Sequence, residues 1–499
     1  MTILPLHPAQ NASSEALRAF LGQCRDLAAR DGRAKLVSIS LAVEALDPLA
    51  VLESIFEPAE PHFYAERPAI QTAIAGAEVA ASFASRGAHR FADVQRWVDE
   101  TLAHTIAVGD VSAPFGGPHF FAGFAFRDEV EAGEPFAAAS VFVPRWQVAR
   151  AGATTTAVAN LTVTADADLD VLTQRVWRAH GKFRRFEYGS GLSATGVVSP
   201  VGSTGSIPEH GRDAHATQTH GRDARATPTF TTREAGDYRA AVAQGLERIA
   251  AGEFGKIVLA RAQDIAADQP LHPLAMLNGL RERFPDCYAF SFAQGGGPSF
   301  IGASPERLVR VSKGLLETEA LAGSARRGAT ASEDAALASA LLHSEKDGRE
   351  QRQVLDDIVA RLAPLGVKPE FPARPQLRRL ANVQHLHTPV QAELPEGVRP
   401  LDVVAALHPT PAVGGSPRMA AMARIRELEG FPRGLYAGAL GWLNARGGGE
   451  FFVGIRSALV EGKQARVYAG AGIVAGSTPE KEFAETELKF KAMLDALLA

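Results

Sequence analysis

Between Ser203 and Phe230 the chain stops reading as a folding sequence. Residues 210–217 run His-Gly-Arg-Asp-Ala-His-Ala-Thr, and residues 220–227 repeat this as His-Gly-Arg-Asp-Ala-Arg-Ala-Thr. A stretch made of His, Thr, Gly and Arg has too little apolar surface to offset the entropy of ordering it, so it reads as a disordered insertion. Its histidines His210, His215 and His220 could meet a metal adventitiously, but a low-complexity loop cannot fix a coordination geometry. Any fold must therefore be built from two flanking parts, residues 1–202, read as mainly scaffold, and residues 231–499, where the chemistry-bearing motifs concentrate.

With 499 residues, 46% hydrophobic and 22% charged, the chain can bury one large core, and a single elaborate α/β or α+β unit fits the length. A formal net charge of -4 gives no reason to expect a nucleic-acid or membrane partner. Cys24 and Cys287 stand far apart in no metal-type spacing and read as reduced core thiols. The first residues lack a basic stretch followed by an apolar run, and no apolar run reaches about 18 residues, so the expected location is cytoplasmic.

In the first part, residues 35–41 read as a strand, and Phe120, Phe121, Phe124 and Phe126 crowd a glycine-punctuated stretch. Packing between two sheets accounts for these aromatics better than a ligand does. The second part is expected to open with a helix after Thr231 or Thr232, because Tyr238, Val242, Leu246 and Ile249 recur at helical spacing.

Lys256 follows in a strand-like run, sharing a face with Val258 and Ala260. Partial desolvation would disfavour its ammonium and suit it to take a proton, whereas a snorkelling or salt-bridged lysine would look the same in sequence. Glu306, in the run 302–307, is the candidate acid. Glu350 lies four residues before Val354 on the face that Ile358 and Leu362 continue, so it points inward and needs a cation or strong donors, if only those of a structural salt bridge. Glu482 and Glu485, three apart beside the stripe Phe483, Phe490, Leu494 and Leu497, suit a hard cation such as Mg²⁺, or simply an acidic helix start. Arg456, read as part of a strand over residues 450–458, shares a face with Phe452, Gly454 and Ala458 and has room for a carboxylate. The glycine-rich residues 470–476 offer close backbone approach without a dinucleotide or P-loop pattern, or else serve only the chain path.

Taken together with residues 321–328, 383–386, 408–417 and 433–438, these motifs resemble the chorismate-utilising enzyme family, over roughly Arg233 to Ala499 and more weakly before the insertion. That family includes isochorismate, salicylate and aminodeoxychorismate synthases and the large subunit of anthranilate synthase. The resemblance implies an α+β fold, a single large unit with an antiparallel β-sandwich surrounded by helices. Three positions separate the chemistries within it. Lys256 resembles the water-activating lysine of isochorismate and salicylate synthases, where the anthranilate enzymes carry glutamine. Ala322 stands where adduct-forming aminodeoxychorismate synthases place a nucleophilic lysine. Ala412 stands where isochorismate synthases have alanine and the pyruvate-eliminating enzymes usually have threonine.

The resemblance therefore implies an isomerase, an isochorismate synthase that binds chorismate and depends on Mg²⁺. Lys256 would activate water for attack at C2, and Glu306 would protonate the departing C4 hydroxyl. Glu350, Glu482 and Glu485 would hold the metal, and Gly323 and Ser324 would assist the ring carboxylate. Arg456, Tyr436 and the Gly472 amide would hold the enolpyruvyl carboxylate, with His385 and Ala412 lining the ring site. The alternatives are a salicylate synthase, an ammonia-using anthranilate or aminodeoxychorismate synthase subunit, and a silent binding module. No obligatory glutaminase partner is expected, and the chain would be a monomer or weak homodimer. The sequence leaves open whether the product feeds menaquinone, siderophore or salicylate synthesis.

Overall fold

The computed structural model describes residues 1–4, 13–55, 59–177, 229–380 and 383–497. The insertion at residues 203–230 lies outside the described residues except at its end, where Phe230 begins a strand, and the side chain of Leu497 lies outside them too. Alternating apolar and β-branched residues give strands that join into a sheet of fourteen and a sheet of nine. Pairing is antiparallel except at one corner, where Thr105–Gly109 runs parallel to both Thr2–Leu4 and Lys35–Val43.

Both flanking parts of the chain build each sheet. In the larger sheet Pro61–Arg67 pairs with Tyr288–Gln294, and in the smaller one His119–Phe124 pairs with Ala439–Asn444. The sheets face each other across an aromatic seam. Phe63 stacks on Phe121 with ring centroids 4.5 Å apart, and Phe452 lies 4.9 Å from Tyr288 and 5.0 Å from Phe290. Phe120, Phe121, Phe124 and Phe126 are all buried in this core, as packing between two sheets requires.

The helix expected after Thr231 or Thr232 begins later. Phe230–Ala235 is instead a strand paired with Lys256–Ala267. This strand lies at the edge of the sheet and is largely exposed, so its polar sequence carries no apolar alternation to reveal it. Gly236 turns the chain, and the Asp237 carboxylate accepts from the Ala240 amide at 3.1 Å to cap the helix Tyr238–Ala250.

Two more helices carry carboxylates towards the sheets. Ser344 caps Glu345–Leu362, which buries Val354, Ile358 and Leu362 as its periodicity predicts. Pro479–Leu497 packs along the strand Gln464–Val474 with Phe490 buried and Phe483 partly so. Cys24 and Cys287 are buried free thiols. No helix among the described residues is long and apolar enough to cross a membrane.

The aromatic seam holds the two sheets together, so truncating it should be costly. Phe452→Ala is expected to lower stability by about 3–5 kcal/mol in denaturant unfolding. Leu488→Ala, on a side chain that is 64% exposed, should change it by less than about 0.5 kcal/mol.

Candidate active site

Lys256 opens the strand Lys256–Ala267, which is bonded along one side to Gln464–Val474 and at its first two residues also to Gly415–Ser416. Strand alternation sends Lys256 and Val258 into a cavity of about 140 Å³. Gly472 lines the cavity beside them. A Cβ there would press on the Lys256 Cε at 3.0 Å, so the glycine leaves the lysine room to reach inward. Lys256 is 2% exposed, and its Nζ donates to Glu350 Oε1 at 2.7 Å. The salt-bridged arrangement is thus the one the structure holds.

Glu306 follows the strand Ser299–Ser304, and its carbonyl accepts from the Val453 amide. Its carboxyl is buried and receives the Thr410 hydroxyl at 3.4 Å. Burial, reinforced by the nearby negative charge of Glu319, pushes its pKa up to about 7, while Thr410 and Lys256 pull the other way. A carboxyl so placed keeps its proton near neutrality and can give it away.

A wall of polar and cationic groups completes the cavity. Gly323, at φ 74, sits in a bulge of the strand Leu315–Arg326 and lets Ser324 turn its hydroxyl to His385 Nδ1 at 2.8 Å. His385 Nε2 lies 3.5 Å from Arg456 Nη2. Burial, with the cations Arg456, Lys489 and Arg378, holds the His385 ring neutral with a pKa of about 3. Arg456 does not lie in a continuous strand over residues 450–458. Gly449–Val453 belongs to the smaller sheet and Ser457–Glu461 to the larger, and Arg456 sits between them at φ 50. The chain crosses between sheets here, which a run of strand-forming residues conceals. Arg456 lines the cavity, and its Nη1 is buried without a hydrogen-bond partner, a cationic donor left unsatisfied by the protein. The glycine-rich run is likewise mostly strand, with Gly470 and Gly472 inside Gln464–Val474.

Tyr436 also faces the cavity, stacked on Tyr468 at 5.0 Å. Ala412 lines the opposite side. Glu350 and Glu485 both reach the cavity wall, whereas Glu482 is buried beside it on the same helix as Glu485. Burial raises the Glu482 pKa, with Glu485 adding to the effect and Ser477 opposing it. Lys489 lowers that of Glu485, to which it donates at 2.8 Å. These carboxylates are hard oxygen donors of the kind Mg²⁺ takes, and two of the three border one space. As they stand, no three acidic, His or Cys residues among the described residues are gathered closely enough to hold a metal ion, and Glu350 and Glu485 are paired with Lys256 and Lys489.

Several residues of the site were not singled out from sequence. Lys489 lines the cavity and donates to the Gly470 carbonyl at 2.7 Å; its spacing four after Glu485 was the only local sign. Tyr468 had none, and Thr410 lay within the motif at residues 408–417 without being given a role. Arg433 and Glu429 form a buried ion pair behind the cavity. Arg433 donates to the carbonyls of Val413 at 2.8 Å and Val258 at 2.7 Å, and Glu429 accepts from the Ala260 amide at 2.6 Å. This pair ties the Lys256 strand to the loop bearing Ala412 and Val413.

Comparisons with known proteins agree with this geometry. The model of the chorismate binding enzyme family matches residues 19–196 and 207–498. A salicylate biosynthesis isochorismate synthase of Pseudomonas aeruginosa is 33% identical over all of this chain and 96% of its own length. Isochorismate synthase MenF of Bacillus subtilis is 31% identical, over 93% of this chain and 94% of that protein. Among solved structures, MenF, the menaquinone-specific isochorismate synthase from Escherichia coli, superposes with a TM-score of 0.71 at 26% identity, covering 96% of this chain and all of that one. Anthranilate synthase component I from Streptococcus pneumoniae, at 23% identity and a TM-score of 0.57, covers 76% of this chain and 80% of its own and shares the fold. With a catalytic-looking cavity in a two-sheet sandwich and a family match along most of its length, the chain belongs to the chorismate-binding enzyme family.

Proposed function

We propose that the protein is an isochorismate synthase, an isomerase that interconverts chorismate and isochorismate. The observation that carries the reading is a buried lysine and a buried, proton-retaining carboxyl lining one cavity, together with an arginine whose Nη1 has no hydrogen-bond partner. Lys256 takes a proton from a water that attacks C2. The ring double bonds shift, and Glu306 delivers its proton to the hydroxyl leaving C4, so one water enters and one departs. Arg456 and Tyr436, with the Gly472 amide, hold the enolpyruvyl carboxylate, while Gly323 and Ser324 meet the ring carboxylate beside a neutral His385. Ala412 keeps the ring side of the cavity free of a hydroxyl.

Mg²⁺, held by Glu350, Glu482 and Glu485, would supply Lewis-acid stabilisation of charge on the ring carboxylate. The mutual repulsion of Glu482 and Glu485 supports a cation there. Lys256 acts as the base, and Glu350, which accepts from it at 2.7 Å, would be one of the carboxylates that hold Mg²⁺. Water activation within this one chain requires no ammonia-supplying partner, and a monomer or weak homodimer in the cytoplasm fits the reading. The pathway that takes the product is set by other enzymes.

Incubation with chorismate and Mg²⁺, without ammonium, should give isochorismate at equilibrium with chorismate, and chelation of the metal should stop the conversion. Salicylate with pyruvate would point to the lyase alternative, and anthranilate formed only with ammonium would overturn the role of Lys256. Lys256→Ala should lower kcat by roughly 1000-fold or more with an unchanged unfolding transition. Because Glu306 acts in its protonated form, kcat/KM should fall about tenfold per pH unit above about 7. Glu306→Gln should abolish that limb and lower kcat by roughly 100-fold or more. A wild-type profile flat to pH 9 would remove Glu306 as the acid.

A further inference from the structure

A second cavity, of about 330 Å³, opens where the edge strand Gln376–Arg379 of the smaller sheet meets the end of the strand Pro61–Arg67 of the larger one. Four guanidinium groups reach it, those of Arg67, Arg307, Arg378 and Arg379. Two are already committed. Arg378 pairs with Glu319 at 2.7 Å, and Arg307 donates to the Tyr288 hydroxyl at 3.1 Å with Glu317 at 3.7 Å. Among the described residues, Arg67 and Arg379 have no carboxylate within ion-pair distance, and the Arg67 Nε is buried without a hydrogen-bond partner while its guanidinium lies 5.0 Å over the Tyr288 ring. Asp286 is the one lining carboxylate not engaged in an ion pair, so two free guanidiniums stand against one free carboxylate. The floor is apolar, from Leu377 and Val390. Such a space, open on the side of the exposed Arg379 and Asp286, carries the positive charge a small anion needs.

This cavity backs directly onto the first. Glu319 lies between them, accepting from the amide of Arg307, the residue after Glu306, at 2.9 Å and from His387 at 3.0 Å. We propose that the second cavity binds a small carboxylate- or phosphate-bearing metabolite and that its occupancy governs how readily Glu306 gives up its proton. The coupling half of this proposal rests on the reading of Glu306 as the catalytic acid. The groups that bear on Glu306 are Glu319, Lys256, Arg378 and the hydroxyls of Thr410 and Tyr436. An anion among the arginines adds negative charge on the Glu319 side and draws Arg378 away from Glu319. Both changes favour the protonated Glu306, so a bound anion should extend activity towards alkaline pH.

The test is calorimetric titration of the whole chain with inorganic phosphate and, separately, succinate. Saturating chorismate and Mg²⁺ keep Arg456 occupied, and sodium chloride of matched ionic strength is the control. One saturable site is expected for at least one probe, and the probe that binds identifies the source of the anion. Arg379→Glu and Arg67→Ala should each weaken it by roughly 10-fold or more with little change in basal turnover. Absence of saturable binding, or binding untouched by both variants, would overturn the site. With the bound probe, the alkaline limb of kcat/KM should move upward in the wild type and stay put in Arg379→Glu. Binding without that movement overturns the coupling. A wild-type protein that does not convert chorismate would instead remove the catalytic reading, while the titration still decides whether the anion site exists.

Discussion

The buried pair of Arg433 and Glu429 is the contact on which the geometry of the first cavity depends. Taking both charges out of water is expensive, and the cost is offset only because nearly every polar atom of the pair is met. Glu429 accepts from Arg433 and from the Ala260 amide, while Arg433 donates to the Val258 and Val413 carbonyls and lies 4.1 Å over the Phe126 ring. The strand that carries Lys256, the loop that carries Ala412 and the turn that leads to Tyr436 are therefore fixed to one another through a single guanidinium. Loosening that centre would move the walls of the site together.

Around it, the cavity keeps its charges in opposed environments. Glu306 is buried near a second carboxylate and holds its proton; Lys256 is buried against a carboxylate and is held in place; His385 is buried among cations and stays neutral. Among the described residues that line it, Arg456 is left with a buried donor that has no partner. A site of this kind suits an anionic group, which would complete the hydrogen bonding that Arg456 leaves unfinished.

Much of this was legible along the chain. The stripe Val354, Ile358 and Leu362 fixed the helix that turns Glu350 inward, and alternation in the Lys256 strand fixed which side chains face the cavity. Burial of Phe120 to Phe126 followed from their crowding at strand spacing. The polar edge strand Phe230–Ala235 was not legible, since hydrogen bonds to a neighbour, and no apolar pattern, make it a strand. The break at Arg456 was hidden for the same reason: a crossing between sheets is decided by which partners the flanking strands find. Lys489 and Tyr468 reach the cavity from elements whose own sequences say only that they pack.

By itself the sequence determined the residue types available for proton transfer and anion binding, the local periods that place them on faces, and the resemblance that names the family. Only the tertiary structure decided that Lys256 meets Glu350 across 94 positions of sequence, that Glu319 stands behind Glu306, and that a second set of arginines gathers on the far side. The physical reason is that periodicity and capping are short-range properties, read within a few residues. Burial and electrostatic fields are sums over neighbours brought together from distant positions, and they exist only once the two sheets have closed on each other.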